Sequence, residues 1–260
     1  MNGAVRVGDR GVALVTGAAS GLGEAAARRL VGEGWRVVGV DRDVVKVGGV
    51  RGYRCDVTDS GAVEAVIGRV VEEFGGVRRV VHAAGVAASG FVSEMDSGAV
   101  RGVCEVNYFG TVNVVGAVLP GMRAGGGGEI VLFGSIGGWI PVPGGGAYAA
   151  GKAAVHMYAE VLGLECAGMG VRVVCACPGM VETPMLAAIR ASAPELFGER
   201  KGVAPEVVLD SIERALRRGE LWAFPDRATR AIWTVHRMFP AATRGLVARK
   251  VLGGRQGKQV

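Results

Sequence analysis

The chain has little from which a metal centre or a disulfide framework could be built. Its 260 residues include three histidines and five cysteines, an odd number. Cys55, Cys104, Cys166, Cys175 and Cys177 fall at no spacing that gathers metal ligands, so no metal is expected. Cys175 and Cys177 stand two apart in an apolar run, on one face of a buried strand, where a thiol behaves as a small hydrophobe. The first residues include Arg6, Asp9 and Arg10 and have no apolar core, so no secretory leader is read there. Together with the unpaired thiols, this points to a reducing, cytoplasmic setting. No linker, low-complexity block or repeat divides the sequence, and its length suits one α/β unit with a large core. The uncharged run over residues 130–151 is long enough to span a membrane, but Pro141, Pro143 and its glycines argue against a span.

Acidic residues are missing from the end of the chain. Residues 227–260 carry eight Lys/Arg and no Asp or Glu, in a protein of net charge +6. Trp233, Met238, Phe239, Leu246, Val247, Val251 and Leu252 are interleaved with the basic residues. Two readings follow. Such a segment can lie weakly on an anionic membrane surface, or its apolar residues pack on the body while the basic ones face water. The recurrence of Ile232, Val235 and Phe239, then Leu246, Val247 and Val251, predicts one or two helices, broken at Pro240. They would cover the substrate side or a subunit contact. No recognition motif accompanies the charge, so no nucleic-acid partner is expected. Residues 1–226 are read as one domain and 227–260 as its basic extension.

Val-rich runs alternate with helical patterns along the rest of the chain. Strands are expected at 11–16, 35–40, 50–55, 77–84, 128–134, 170–176 and 220–224. Helices are expected near 21–33, 59–74, 97–123, 147–168 and 205–218, with Asp59 as an N-cap and Pro205 opening the last. This alternation implies βαβ units and a parallel sheet covered on both faces.

The first strand runs into Gly17-Ala18-Ala19-Ser20-Gly21-Leu22-Gly23 and then a helix. A glycine turn in that place lets backbone N–H groups approach a pyrophosphate, whose charge the helix dipole favours. Asp41 ends the second strand, 18 residues after Gly23, where a dinucleotide fold places the acid that accepts ribose hydroxyls. A carboxylate there suits NAD and repels the 2′-phosphate of NADP, although the adjacent Arg42 could hold that phosphate. Asp56 ends the third strand and is placed to touch the adenine rim.

Tyr148 and Lys152 lie four apart on one helix face. An ammonium beside the phenol favours the phenolate and lowers the Tyr pKa, making a general acid/base for a carbonyl or secondary alcohol.

Thr16-Gly17 through Gly23, Asp56, Asn107 in Asn-Tyr-Phe-Gly, Ser135, Tyr148, Lys152 and Pro178-Gly179 together resemble the short-chain dehydrogenase/reductase family, from about residue 11 to residue 219. The resemblance implies a Rossmann-like, doubly wound parallel sheet in three layers, here with a helical C-terminal extension. It also implies hydride transfer with NAD, or NADP as the alternative. Tyr148 would exchange the substrate proton, Ser135 would orient the reacting oxygen, Lys152 would hold the nicotinamide ribose, and Asn107 would keep a water in the proton relay. Val57, Ala83, Ala84, Gly85, Pro178, Gly179, Val181 and Thr183 would complete the cofactor contacts made by Gly17, Ser20, Gly21, Leu22, Gly23, Asp41 and Arg42.

The sequence departs from the family pattern in places. His82-Ala83-Ala84-Gly85 stands where Asn-Asn-Ala-Gly is usual, at a cost in stability, with His82 packed or beside the cofactor. Gly151 precedes Lys152, which implies a close packing contact. The wall of the substrate pocket is expected from Ile136, Trp139, Ile140 and Val142, and its lid from Met185, Leu186, Ile189, Leu196 and Phe197. These suit a hydrophobic alcohol or ketone, while Arg190, Arg200 and Lys201 could instead meet an acidic group. Family members usually pair the helices corresponding to 97–123 and 147–168, which implies a homotetramer or homodimer. Val100, Val103, Phe109, Val112 and Val115 give the first of these more apolar surface than one sheet face needs. A non-catalytic dinucleotide-binding protein is the reading from another functional class.

Overall fold

A computed structural model describes residues 10–194 and 201–256. Arg6, Asp9, Leu196, Phe197 and Arg200 lie outside the described residues, as do the side chains of Val251 and Leu252.

The order of elements is β1 (Val12–Thr16), α1 (Gly21–Gly32), β2 (Arg36–Asp41), β3 (Val50–Arg54), α2 (Ser60–Phe74), β4 (Val77–His82), α3 (Ser97–Cys104), α4 (Gly110–Ala124), β5 (Gly128–Phe133), α5 (Gly146–Glu165), β6 (Val171–Ala176), α6 (Pro184–Ser192), α7 (Pro205–Arg218), β7 (Trp222–Ala223), α8 (Arg227–Met238) and α9 (Pro240–Gln256). The strands form one seven-stranded sheet in the order β3-β2-β1-β4-β5-β6-β7, and every pairing is parallel. This is the expected doubly wound, Rossmann-like arrangement. Helices cover both faces, and the central strands are apolar throughout because both of their faces are buried.

Two apolar clusters flank the sheet. One gathers Leu14, Val38, Val80, Ile130 and Leu132 with α2, α4 and α5. The other gathers Val15, Val37, Val81, Val131 and Val174 with α1 and α7. At the far end of the sheet Arg79, 5% exposed, pairs with Glu129 and Glu213 at 2.5 and 2.7 Å, tying β4 to β5 and α7. The uncharged run of residues 130–151 is divided among β5, a loop and the start of α5.

Strand and helix limits agree with the sequence patterns to within a few residues. One helix differs. The span read as continuous over 97–123 is broken by a π-turn, Glu105–Phe109, which contains Asn107. Such turns insert a residue into the helical ladder and turn a side chain out of its regular position. The surplus of apolar surface assigned to this helix is also smaller than expected. Val103 and Val115 are buried in the protein's own core, leaving Phe109 exposed.

The C-terminal segment forms two helices that meet at Pro240, as the spacing predicts. Asp226 caps α8 by accepting from Thr229 N–H at 2.7 Å. Packing of the tail's apolar residues on the body holds for Trp233, whose ring lies 5.1 Å from Phe224 and 5.7 Å from Trp139. It fails for Ile232, Val235, Met238, Phe239 and Leu246, which stay exposed.

Candidate active site

The order of the strands reverses between β1 and β4, and an open α/β sheet of this kind leaves a crevice at the carboxyl ends of those strands. The crevice is lined by Gly17, Ser20, Gly21 and Leu22 from the glycine turn, and by Val40, Asp41, Arg42 and Asp43 at the end of β2. Cys55, Asp56 and Val57 follow β3, Ala83 to Val86 follow β4, and Val106, Thr183, Pro184 and Met185 close it. Most of the expected cofactor residues are thus brought together. Gly23, Tyr148, Lys152, Pro178, Gly179 and Val181 do not line the crevice. Gly23 instead lets α1 approach the turn, since a Cβ there would run into the Gly17 carbonyl. Val181 is buried in the core and pairs with Val203. Val40, Asp43, Cys55, Val86, Val106 and Pro184 also line the crevice, and their only sequence signal is adjacency to expected site residues.

The turn fits a dinucleotide phosphate on its own chemistry. Gly17 and Gly21 adopt φ of +66° and +57°, a region open to glycine at little cost. A Cβ on Gly17 would stand 2.8 Å from the Ala84 nitrogen, so only glycine lets the two strand ends come this close. Asp59, Asp96, Thr183 and Asp226 each cap their helix with a side-chain oxygen. Ser20, at the head of α1, is a capable residue that makes no such bond. The leading N–H groups of α1 therefore remain for an anion in the crevice.

Asp41 is fixed at the rim. Its Oδ2 accepts from Ala19 N–H at 2.9 Å and its Oδ1 from Asp43 N–H at 3.0 Å. Asp56 Oδ1 accepts from the Thr58 N–H and hydroxyl, and these bonds lower its pKa by stabilising the carboxylate. Arg42 lies close enough to add to that shift.

Beyond Gly85 the polar groups are buried. A Cβ on Gly85 would lie 3.2 Å from Asn107 Oδ1 and 3.7 Å from Lys152 Nζ, so backbone alone separates the crevice from them. Asn107 accepts from Val86 N–H at 2.8 Å and donates to the Val86 carbonyl at 2.9 Å. Its own carbonyl accepts from the Thr111 hydroxyl at 2.7 Å. The side chain therefore clamps the segment after β4. The contact at Gly151 is an ordinary one, with a Cβ 3.4 Å from that of Asn107.

Lys152 donates to the Phe133 carbonyl at 2.7 Å, and its nitrogen lies 5.7 Å from the centre of the Tyr148 ring. Burial lowers its pKa to about 8, so it remains mostly protonated at neutral pH. Tyr148 departs from expectation. Burial raises its pKa, and a hydrogen bond with Ser135 offsets part of the rise. With its ammonium turned to a carbonyl, Lys152 does not lower the phenol in this arrangement. Ser135, just past β5, donates to the Pro178 carbonyl at 3.4 Å and accepts from Gly137 N–H at 3.1 Å.

Two imidazoles flank Lys152. His82 shares a 2.8 Å hydrogen bond with the Thr16 hydroxyl, which also accepts from Ala84 N–H at 3.2 Å. Neighbours thus satisfy the backbone that Ala83 leaves to them, and Ala83 N–H itself donates to the Thr16 carbonyl. His156 accepts from Ser135 N–H at 3.2 Å and stacks on Trp139 at 3.8 Å. Sequence spacing gave no sign that His156, Cys175 and Cys177 converge, yet their ligand atoms lie within 4.8 Å of one another. The imidazole nitrogen facing the thiols is occupied by Ser135 N–H, and burial pushes the Cys177 thiol well up, so the cluster is packed in its neutral form.

The substrate wall is narrower than expected. Ile140 and Leu186 are buried, Trp139 is held among His156, Trp222, Phe224 and Trp233, and Ile136, Val142 and Met185 retain exposed surface. Arg190 pairs with Glu182 through both terminal nitrogens at 2.9 and 3.0 Å, which takes it from the role of an acid receptor.

A sequence model of the family described as short chain dehydrogenase matches residues 11–194. Oxidoreductase UcpA of Escherichia coli O157:H7 is 37% identical over 233 residues, spanning 82% of this chain and 86% of that one. Among solved structures, a short chain dehydrogenase/reductase from Burkholderia phymatum in complex with NAD aligns with a TM-score of 0.81 and 25% identity, over 90% of this chain and 95% of that one. A short chain dehydrogenase from Burkholderia cenocepacia in complex with NADP gives a TM-score of 0.81 and 26% identity, over 94% and 98%.

Burial holds His82 and His156 near a pKa of about 3, with Lys152 repelling the second charge, against 6.5 for the free side chain. As pH falls below 6.5 the unfolded chain takes up protons that the folded one refuses. Stability is therefore full above pH 6.5 and declines below it, by up to about 1.4 kcal/mol per pH unit for each histidine. Urea unfolding at pH 7.5, 6.5 and 5.5 is expected to show this decline, with a shallower slope in His82→Asn. A flat profile across that window would contradict neutral burial of the two rings.

Proposed function

Since the chain belongs to the short-chain dehydrogenase/reductase family of NAD(P)-dependent oxidoreductases, we propose that it interconverts a hydrophobic secondary alcohol and its ketone, with NAD as the preferred cofactor. When bound, the nicotinamide supplies or accepts the hydride. The observation that carries the reading is the convergence of three side chains: a Cβ on Gly137 would stand 3.4 Å from Ser135 Oγ and 3.8 Å from the Tyr148 ring, and Lys152 is buried 5.7 Å from that ring's centre and one glycine from the crevice.

Tyr148 is the proton donor to a ketone or acceptor from an alcohol. Its raised pKa keeps the phenol protonated at rest, which suits donation. Ser135 orients the same oxygen. Lys152 stays charged at neutral pH, and its ammonium, rotated from the Phe133 carbonyl, would hold a ribose hydroxyl and favour the phenolate in the reverse direction. The half-exposed apolar side chains of Ile136, Val142 and Met185 favour an apolar substrate over a sugar.

Asp41 supports NAD over NADP. Both of its oxygens are fixed by backbone N–H groups, so the carboxylate presents a set charge to a 2′-substituent. A hydroxyl is accepted and a phosphate repelled. Arg42 beside it supports the second reading, an NADPH-dependent ketoreductase.

Self-association is proposed through α5 and the π-turn before α4. Met157, Val161 and Leu164 follow one another at helical spacing and are 61, 44 and 78% exposed, with Phe109 at 47%. A contiguous apolar face of this kind favours a homodimer or homotetramer.

Tyr148→Phe is expected to lower turnover of an aliphatic or aromatic ketone at least a hundredfold while NADH binding by fluorescence stays nearly intact. Turnover within tenfold of the parent would sink the assignment. Titration with NADH and NADPH should favour NADH, and Asp41→Ser should narrow or reverse the preference. Tighter NADPH binding by the unaltered protein would remove Asp41 from its role. Light scattering at micromolar concentration should return a multiple of 26.7 kDa; a monomer mass would exclude the α5 pairing.

A further inference from the structure

We propose that α8 and α9 form a docking surface for an anionic lipid bilayer. The first observation is where the apolar residues of α8 point. One side of this helix is already used against the body: Thr229 is buried near Gly179, Trp233 packs on Phe224 and Trp139, and His236 meets Thr243 of α9 at 2.6 Å. Ile232, Val235 and Met238 lie beside that face, with Phe239 just past the helix end, and the four are 50, 48, 66 and 59% exposed. At 100° per residue Ile232, Val235 and Met238 fall within one band of about 120° that lies alongside the face holding Thr229, Trp233 and His236, and Phe239 follows at the helix end. Since the inward face is already packed, the band is not an unfinished part of the core. Leu246 of α9, 55% exposed, adds to the apolar surface.

The second observation is charge. Eight of the 30 Lys/Arg lie in residues 227–260, and the remaining 22 fall short of the 24 Asp/Glu, all of which precede that segment. The basic character of the protein thus resides entirely in the tail. Arg227, Arg230 and Arg237 lie along one edge of the apolar band of α8, Arg237 resting 5.5 Å over the Trp233 ring, and Arg244 and Arg249 are exposed on α9. An apolar stripe bordered by guanidinium groups matches the boundary between acyl chains and acidic headgroups. A second copy of the chain matches it poorly, because pairing tail with tail would bring together two segments that carry only positive charge.

The same helix touches the segment after Pro178 and the loop after Ser135, through Gly179 and Trp139. Docking would therefore hold the substrate side of the protein toward the bilayer, an arrangement suited to an apolar alcohol or ketone; this clause alone rests on the proposed function.

The test uses the full chain and two sets of vesicles, phosphatidylcholine alone and phosphatidylcholine mixed with phosphatidylglycerol. Sedimentation should carry the protein down with the mixed vesicles, leave it in solution with the neutral ones, and lose the bound fraction as salt is raised. The paired exposed-site variant Arg230→Gln/Arg237→Gln should weaken binding about tenfold or more, and Ile232→Ser/Phe239→Ser should abolish it. NADH titration serves as the folding control for both, since the nucleotide crevice contains none of these residues. Equal binding to both vesicle types, no binding to either, or unchanged binding by folded variants would overturn the proposal. A fall in solution mass caused by Ile232→Ser/Phe239→Ser, without lipid binding by the parent, would also overturn it by assigning the face to a second copy. Lipid binding is read without turnover, so failure of the catalytic assignment and failure of docking are separate results.

Discussion

The close approach of Gly17 to Ala83 and Ala84 is the constraint on which the site depends. At this point β1 and β4 reach the end of their pairing and the chain must turn outward on both sides. Thr16 joins them, its carbonyl accepting from Ala83 N–H and its hydroxyl from Ala84 N–H while also bonding His82. A side chain at Gly17 would stand between these groups and force the strand ends apart. Gly23 acts in the same way a little further along, bringing α1 down on the turn. The phosphate-facing N–H groups, Asp41 at the rim and Gly85 beside Lys152 all take their positions from this junction.

Behind the junction is a polar cluster in which only one group carries charge at neutral pH. Lys152 is anchored on a strand carbonyl, and the two histidines near it are kept neutral by burial and by its own field. The thiol of Cys177 is kept protonated by the same burial. A second cation so close would have to be desolvated without a counter-charge, which costs far more than leaving an imidazole neutral. His156 nonetheless serves the site, because its unprotonated nitrogen accepts the N–H of Ser135 and fixes the residue that meets Tyr148. A reacting oxygen would thus find a phenol, a hydroxyl and an ammonium set on strand ends and a long helix, with little freedom to move.

The C-terminal helices follow a different logic from the body. Their capping and their single inward face are sufficient to dock them, through Asp226, Thr229 and Trp233. Their apolar band faces solvent, and among their described arginines Arg237 alone has a side-chain partner, the Trp233 ring 5.5 Å away. Basic charge concentrated on one appendage leaves the rest of the surface slightly acidic, so the protein presents two electrostatic faces to its surroundings.

By itself, the sequence determined the sheet, the glycine turn and the Tyr148/Lys152 pair on one helix face. These depend on short-range rules: a period of two or 3.6 in apolar residues, glycine where φ is positive, and Tyr and Lys one helical turn apart. Capping by Asp59 and the break at Pro240 were legible for the same reason. Tertiary structure alone decided what depends on contacts across long separations. Asn107 became a clamp because the π-turn aims it at Val86, 21 residues away. His156 met Cys175, Cys177 and Ser135 because α5 lies against β5 and β6. The pKa of Tyr148 went up rather than down because burial outweighs a lysine that has another partner. The tail's spacing announced a helix with an apolar stripe, but periodicity says only that a face exists. Which way it points was set by Trp233, whose bulk finds Trp139 and Phe224 and turns the rest of the stripe to solvent.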